Sequence, residues 1–434
     1  MKHILHLYLT QGLISLKLCC LLLFISFHVQ AQVAGDLRSS SSGSWNQPNT
    51  WERYTGTVWQ AAGIGANNPG HIPDTNSSVF IQTGHLVNLD SISFCNSISI
   101  NGGTLEANIY TLNVKNNWTN NGDFIANTGL VNLFGPNQLI GGASITSFNH
   151  LTVATTVTAE LTQHLIVLGN LTTTSTGTLK TESFNVTVSG LTSVEGLSSI
   201  KDIGSGSKQY FGGLFINGGS FVSTVPITIP SSGILNVALG NLTMNAGTST
   251  FLVEAGAPIT ISGGNLSIAA GQTFSLNSPV NMSGGSINGN GSLFINSTFN
   301  MSGGVLAGSG TSTVTAPNIM NISGTLTTIS RSITTPTLNW ASGGFTIGSG
   351  SILSTITAQI SSSGVISGNG TLVVSGIGAS LTKSSNSNAT INCALNLTNP
   401  SVFNINSGTL TLGGGGILSS ATTRPPAAMA AGFT

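Results

Sequence analysis

The sequence predicts an all-β protein, a right-handed parallel β-helix with about 20 residues per turn behind an aromatic N-terminal cap. A Ser-Gly phrase recurs six times between Ser262 and Ser363, with its serines 21, 19, 21, 19 and 21 residues apart. A Gly-x-Gly phrase follows most copies, as at Gly289–Gly291 and Gly308–Gly310. Short Val/Ile/Leu/Thr segments of period two lie between the phrases, and no helical stripe fits between them. A fixed period that joins strand-like segments indicates a β-solenoid.

The period also predicts which side chains stack on one another in successive turns. We predict two columns of core residues and one of asparagines: Val280, Phe299 and Met320; Met282, Met301 and Ile322; Asn281, Asn300 and Asn321. Amide side chains stacked at the strand spacing can hydrogen-bond along the column. The asparagines are therefore interpreted as a structural ladder and not as a binding row.

The composition is unusual in its lack of charge. Only 5% of the 434 residues are charged, 39% are hydrophobic, 56 are glycine and the formal net charge is zero. Apolar content with regular spacing favours an ordered solenoid whose surface consists of hydroxyl and amide groups. Nucleic acid and other highly charged partners are not expected, because the chain has no basic or acidic patch.

Residues 1–31 have the features of an export signal. Lys2 and Lys17 supply the basic region, Leu18–Phe27 is an apolar run, and Val29–Ala31 ends in a small-residue cleavage site. The run is too short to span a bilayer. We therefore expect a secreted or outer-surface protein with no transmembrane segment in the mature chain.

The remaining chain divides into three segments that differ in residue composition and in repeat pattern. Residues 32–75 are predicted to form the cap, 76–416 the β-helix turns, and 417–434 an irregular tail. Between 155 and 250 the period is hard to assign, and broken turns are expected there.

Four aromatic residues dominate the predicted cap: Trp45, Trp51, Tyr54 and Trp59. The first turn of a solenoid exposes its strand edges and its core, and bulky aromatic side chains can cover both. The alternative is a platform on which sugar rings stack, because aromatic side chains combine an apolar face with a polar edge.

Two cysteines follow the export signal, Cys95 and Cys393. In a continuous solenoid they lie about 15 turns apart, on the order of 70 Å at about 4.8 Å per turn. A disulfide needs Cα atoms within about 7 Å. We therefore predict two buried free thiols.

Several phrases in the first part of the chain carry a resemblance: Gly35–Ser39, Gly43–Tyr54, Trp59, Pro73–Val87 and Trp118–Val153. Together they resemble the mature N-terminal region of adhesin-like surface and secreted proteins exported by the type IX secretion system. The resemblance covers residues 35 to about 155. It implies a β-helical exported architecture and carries little information about activity, because that class mixes adhesins and enzymes.

Proteins of that class usually end in an immunoglobulin-like sorting domain, and the 417–434 segment is too short to form one. Two expectations stay open. The sequence is a fragment of a longer protein, or export follows another route.

Residues that could support catalysis are nearly absent from the second half. The last acidic residue is Glu254 and the last histidine is His164. Acid-base catalysis, metal binding and most nucleophile activation need such groups close together. No catalytic residue, cofactor or metal ligand is predicted, and the protein is not expected to be an enzyme.

The first half contains scattered candidates, all interpreted as turn residues. One group could in principle bind zinc, and a second is expected to be solvated: His71, Asp74, His85 and Asp90; Glu182, Glu195, Lys201 and Asp202. Neither group has a metal-ligand spacing.

Two functions fit these observations, and a third fits them poorly. The first is an adhesin-like or structural stalk, whose partner would be an extracellular glycan or another cell surface. The second is a carbohydrate-binding or carbohydrate-active β-helix that uses the aromatic residues of the cap. The third is a protein that binds ice or another flat surface, which requires threonine columns that Thr313, Thr315, Thr325 and Thr327 do not form.

Overall fold

A computed structural model describes residues 32–61, 71–154, 156, 158–245, 250–324, 327–398, 401–418 and 422–424. The predicted export signal lies outside the described residues, and so does most of the predicted tail. The chain forms a β-solenoid of about 16 turns, with stacked parallel strands about 21 residues apart and almost no helix. The predicted fold class is confirmed. No helix in the described ranges is long and apolar enough to cross a membrane.

Each turn after the first contributes one strand to each of three faces. Face 1 contains Ser93–Cys95, Thr111–Val114, Leu130–Leu133, His150–Val153, Leu171–Thr173, Thr192–Glu195, Ile259–Ile261, Val280–Met282, Phe299–Met301, Ile319–Ile322, Ser380–Lys383, Val402–Ile405 and Thr422–Arg424. Face 2 contains Leu37–Ser39, Val79–Gln82, Ile98–Asn101, Trp118–Asn120, Gln138–Gly141, Thr158–Leu161, Thr178–Lys180, Ser199–Asp202, Asn265–Ile268, Ser286–Gly289, Val305–Ala307, Thr327–Ser330, Phe345–Ile347, Val365–Ser367, Asn388–Ile391 and Thr409–Leu412.

Face 3 closes the triangle, and its first four strands form a separate small sheet. It contains Gly43–Ser44, Leu86–Asn88, Thr104–Glu106, Asp123–Ile125, Thr146–Phe148, Leu165–Val167, Val186–Val188, Lys208–Tyr210, Ile227–Ile229, Thr250–Val253, Thr273–Leu276, Ser292–Ile295, Ser312–Val314, Thr371–Val374, Ala394–Leu397 and Gly416–Leu418. Four longer strands bend around a corner and serve two faces: Gly213–Ser223, Ile234–Met244, Ile333–Trp340 and Ile352–Ile360. Two further strands, Trp51–Tyr54 and Trp59–Ala61, and a 3-10 helix, Pro48–Thr50, belong to the N-terminal cap.

Alternate residues of each strand point into one continuous apolar core. Val280 pairs in parallel with Phe299, and Phe299 pairs with Met320. All three side chains are fully buried. The predicted core columns are therefore confirmed. At about 4.8 Å per turn the solenoid is roughly 75–80 Å long.

Both glycine phrases form corners of the triangle. The Ser-Gly phrase connects face 1 to face 2, and the Gly-x-Gly phrase connects face 2 to face 3. Gly289 and Gly308 have φ of +96° and +97°, in the region that L side chains avoid. A Cβ on Gly308 would lie 2.1 Å from the carbonyl oxygen of Gly289 one turn earlier. Glycine is therefore required at this corner by both the backbone conformation and the close stacking.

The asparagine ladder on the outer side of face 1 is also confirmed. Asn300 donates from Nδ2 to Oδ1 of Asn281 at 2.9 Å, and Asn321 donates to Asn300 at 2.8 Å. Asn339 extends the ladder to a fourth member, donating to Asn321 at 3.1 Å. The amides bind one another along the stack of strands, as expected of a structural ladder.

A double-mutant cycle on Asn281 and Asn300 is expected to show favourable coupling of about 0.5–1 kcal/mol, since each alanine removes the same half-exposed hydrogen bond. Chemical denaturation of the two single variants and the double variant measures the coupling. Asn300 paired with Thr313, an outward residue of face 3, is the control cycle. Equal coupling in both cycles would contradict the ladder's contribution to stability.

Two predicted boundaries and one expected irregularity differ from the structure. The strands Leu37–Ser39 and Gly43–Ser44, expected in a separate cap, pair in parallel with the next turn and so build the first turn themselves. The 155–250 segment, expected to be broken, keeps continuous strand pairing on all three faces wherever it is described. Gly416–Leu418 and Thr422–Arg424 extend faces 3 and 1 beyond the boundary predicted at 416.

Candidate functional site

The histidines and carboxylates near the N-terminus are dispersed among separate structural contacts. Asp74 Oδ1 accepts bonds from the Asn76 amide and the Ser77 hydroxyl, both at 2.9 Å, and so forms a turn. His85 Nδ1 lies 2.8 Å from Ser39 Oγ. His71 and Asp90 bond elsewhere, to the Gln60 carbonyl and to Asn46. In the described part of the chain no three His, Cys, Asp or Glu side chains form a group that could hold a metal ion.

Two of the four predicted aromatic residues fill the interior of the first turn. Trp45 and Trp51 are fully buried, with ring centroids 5.3 Å apart in an edge-to-face arrangement. Trp51 Nε1 donates to the Trp45 carbonyl oxygen at 2.8 Å. Neither ring offers an exposed face, so sugar stacking stays a prediction for Tyr54 and Trp59 alone.

Tyr54 and Trp59 lie on an antiparallel hairpin that extends face 2 past the first turn. The hairpin strand Trp51–Tyr54 pairs antiparallel with Leu37–Ser39, and Tyr54 is directly opposite Trp59. Alternation along these strands turns both rings to the outer surface, where both are half-buried and their centroids are 5.1 Å apart. The edge strand of the solenoid is thereby covered.

Arg38 completes a mixed surface cluster, the aromatic–arginine patch, formed by Arg38, Glu52, Tyr54, Trp59 and Phe80. The guanidinium carbon of Arg38 is 4.7 Å from the Trp59 ring centroid. Phe80 approaches the same ring edge-on, at 6.4 Å between centroids. Glu52 Oε2 accepts from Arg38 Nε at 2.7 Å and lies 2.6 Å from its Nη2. Arg38 and Phe80 cannot be assigned to the patch from the sequence alone, because their position beside Trp59 depends on the antiparallel pairing of the hairpin.

In the patch the partially solvated guanidinium of Arg38 lies against the aromatic ring of Trp59. A half-exposed ion pair contributes less than about 1 kcal/mol to stability, and a cation over an exposed ring about 0.5–1 kcal/mol. The carboxylate therefore mainly orients the guanidinium. The result is a surface with an apolar ring, a phenol hydroxyl and charged hydrogen-bonding groups within reach of one small ligand.

Buried cations occupy corners of the solenoid. Arg331 is fully buried and donates to Ser312 Oγ at 2.6 Å, to the carbonyls of Gly289 and Thr311 at 2.9 and 2.8 Å, and to that of Gly291. Lys383 is also fully buried, and its Nζ donates to the Ser385 carbonyl at 2.6 Å and to the Ser385 hydroxyl at 2.5 Å. Burial lowers the pKa of both side chains. Through these contacts both cations donate hydrogen bonds to oxygen atoms of the chain itself.

The thiols and one carboxylate are also inside the core. Cys95 and Cys393 are free and buried, as predicted, and burial raises the pKa of both thiols. Lys201 is exposed, in agreement with its assignment as a solvated residue. The same assignment was wrong for Asp202, which is fully buried, because strand alternation turns it inward.

No family model, curated protein or solved structure matched the chain. Functional assignment therefore depends on the geometry described above.

Proposed function

We propose that the protein is an exported, non-catalytic β-solenoid of the cell surface or extracellular space that serves as an adhesin-like or structural stalk. The surface of the second half of the rod carries the proposal. Between Ala255 and Leu418 the charged residues are Arg331 and Lys383, and both side chains are fully buried. About half of the rod therefore presents uncharged side chains to its surroundings in the described ranges.

An uncharged surface of hydroxyls and amides suits a spacer in contact with hydrated material. Such side chains exchange hydrogen bonds with water and with sugar hydroxyls at similar energies, so they hold no single small molecule strongly. Their mutual bonds, as in the Asn281–Asn339 ladder, stiffen the rod. General acid-base chemistry would need titratable groups at this surface.

Beads coated with the purified full chain test this proposal. The expected result is retention under flow on cell or neutral-glycan surfaces above that of albumin-coated beads, with no release of sugar from the glycans. Release of reducing ends that depends on protein concentration would contradict the non-catalytic proposal. Retention equal to that of albumin on every surface would contradict the adhesive one.

The aromatic–arginine patch supports a second candidate function, glycan binding at the N-terminal end. Trp59→Ala is expected to weaken glycan retention about tenfold, or about 1.4 kcal/mol, because it removes the central ring of the patch. A glycan array with wild type and variant measures the change. Ile377→Ala is the control, since Ile377 is 96% exposed and lies far along the chain. Equal binding by both variants would rule out the patch as the site.

A further inference from the structure

A polar cluster lies inside the core where face 2 meets face 3. The cluster, called the Asp202 corner, consists of the buried residues Thr181, Asp202, Lys208 and Tyr210 and the half-buried Glu182 at its edge. Asp202 ends a face-2 strand and is fully buried, and Tyr210 donates its hydroxyl to Asp202 Oδ2 at 2.7 Å. Asp202 Oδ1 is buried without a hydrogen-bond partner. A buried carboxylate oxygen in this situation is costly when it is ionised.

The cation nearest to Asp202 is bound to other groups. Lys208 is 3% exposed, and its Nζ donates to the Glu182 carbonyl at 3.0 Å and to the Phe184 carbonyl in the preceding turn. No ion pair joins Lys208 to Asp202 among the described contacts, and the two attract each other only at longer range. Lys201 is on the outer surface. The carboxylate thus has incomplete compensation from every strand around it.

The charge state of Asp202 follows from this packing. Burial raises the pKa of Asp202 to about 6, and the smaller opposing effects of Tyr210, Lys208 and Thr181 do not cancel it. Burial also lowers the pKa of Lys208, and it raises that of Tyr210 well above its usual value. In an unfolded chain the pKa of aspartate is about 3.9. The Asp202 contribution to stability is therefore fully present below about pH 4 and is lost as pH rises through about 6.

We propose that the Asp202 corner is a pH-sensitive joint in the wall of the solenoid. A proton on Asp202 holds the turns between Thr178 and Ile229 together in mildly acidic surroundings. Loss of that proton near neutral pH places an incompletely compensated charge inside the core. In a solenoid each turn contacts only its neighbours, so the cost falls on these turns and opens them before the rest.

Hydrogen exchange of the full chain between pH 5.0 and 7.5, corrected for intrinsic rates, tests the joint. Protection in the strands Ser199–Asp202 and Lys208–Tyr210 is expected to fall by about tenfold over this range, because only about one pKa unit of the shift lies above pH 5.0 and each unit corresponds to a factor of ten. Protection in Val280–Met282 and Phe299–Met301 is expected to stay constant. No change at the joint, or an equal change in all four strands, would overturn the proposal.

Variants separate Asp202 from other titrating groups. Asp202→Asn is expected to remove the pH response, and Asp123→Asn, at an exposed carboxylate, is expected to retain it. Tyr210→Phe removes the hydrogen bond to the carboxylate and is expected to move the midpoint to higher pH. Persistence of the response in Asp202→Asn would overturn the proposal. If that variant does not fold, an unchanged midpoint in Tyr210→Phe would overturn it instead.

Discussion

Replacement of Arg331 by methionine is expected to lower the free energy of unfolding of the surrounding turns by about 3 kcal/mol or more, because each hydrogen bond to a charged group contributes about 1.5–3 kcal/mol. The guanidinium binds four oxygens, three of them backbone carbonyls, from two earlier turns. Methionine fills much of the same space but leaves these oxygens without this donor. Relief of the buried charge offsets part of the loss, because no acidic residue follows Glu254 to compensate that charge.

Local hydrogen exchange at Ser312–Val314, together with the denaturation midpoint, measures the effect. Lys201→Met is the matched control, since it removes an exposed cation from the outer surface of face 2. Arg331→Lys is expected to be intermediate, because an ammonium group reaches fewer of the four oxygens. Equal stability of Arg331→Met and Lys201→Met would show that the buried contacts contribute little.

Gly308→Ala is expected to destabilise its corner by about 3–5 kcal/mol, through left-handed backbone strain and overpacking together. The new Cβ would lie 2.1 Å from the Gly289 carbonyl oxygen and 2.7 Å from its nitrogen. Gly350→Ala is expected to cost only about 1–2 kcal/mol. Gly350 also has a positive φ, +74°, but has open space where the Cβ would be. Comparison of the two variants therefore separates the cost of left-handed backbone strain from the cost of the close Cβ contact.

The two variants are compared by denaturant unfolding under one condition. If Gly308→Ala loses no more unfolding free energy than Gly350→Ala, the stacked turns at this corner can move apart to accept a Cβ. Glycine would then be required at this corner only for its positive φ.

The 262–370 region could be predicted closely because its glycines fix the corners and thereby fix the register of each strand. Once Met282 and Met301 are placed in one column, every side chain between them is assigned to the core or the surface. The Asn281–Asn321 ladder followed directly from this register.

The aromatic–arginine patch could be predicted only in part. Trp45 and Trp51 belong to the first turn, and the letters alone do not distinguish them from Tyr54 and Trp59. The distinction is made by a long-range event, the antiparallel pairing of Trp51–Tyr54 with Leu37–Ser39. Arg38 reaches Trp59 only as a result of that pairing.

The buried ions were missed for a different reason. Charged residues are normally solvated, so a lone Arg331 or Asp202 is first assigned to the surface. One signal was present at Arg331: the preceding turn continues from Ala307 into the Gly308–Gly310 phrase, whereas Ser330, the partner of Ala307, is followed by Arg331. The arginine therefore replaces a glycine at a corner, and its side chain binds the carbonyls stacked there.

An in-register deletion tests most directly whether the molecule is a stalk of interchangeable turns. Leu235 pairs with Ile259, and Ile259 pairs with Val280, so removing Asn236 through Val280 deletes two turns and joins Leu235 to Asn281. The junction keeps a Leu-Asn pair. The deleted residues belong neither to the Asp202 corner nor to the contacts of Arg331.

Small-angle scattering of the full chain and the deletion variant is the decisive measurement. The expected result is a folded rod about 10 Å shorter, with cooperative unfolding and unchanged retention on glycan surfaces. Removing one more residue, Asn281, turns Met282 outward and Ser283 inward and is expected to disrupt the rod. A disordered two-turn deletion variant, or an out-of-register control that folds equally well, would contradict the claim that the molecule is a stalk of interchangeable turns.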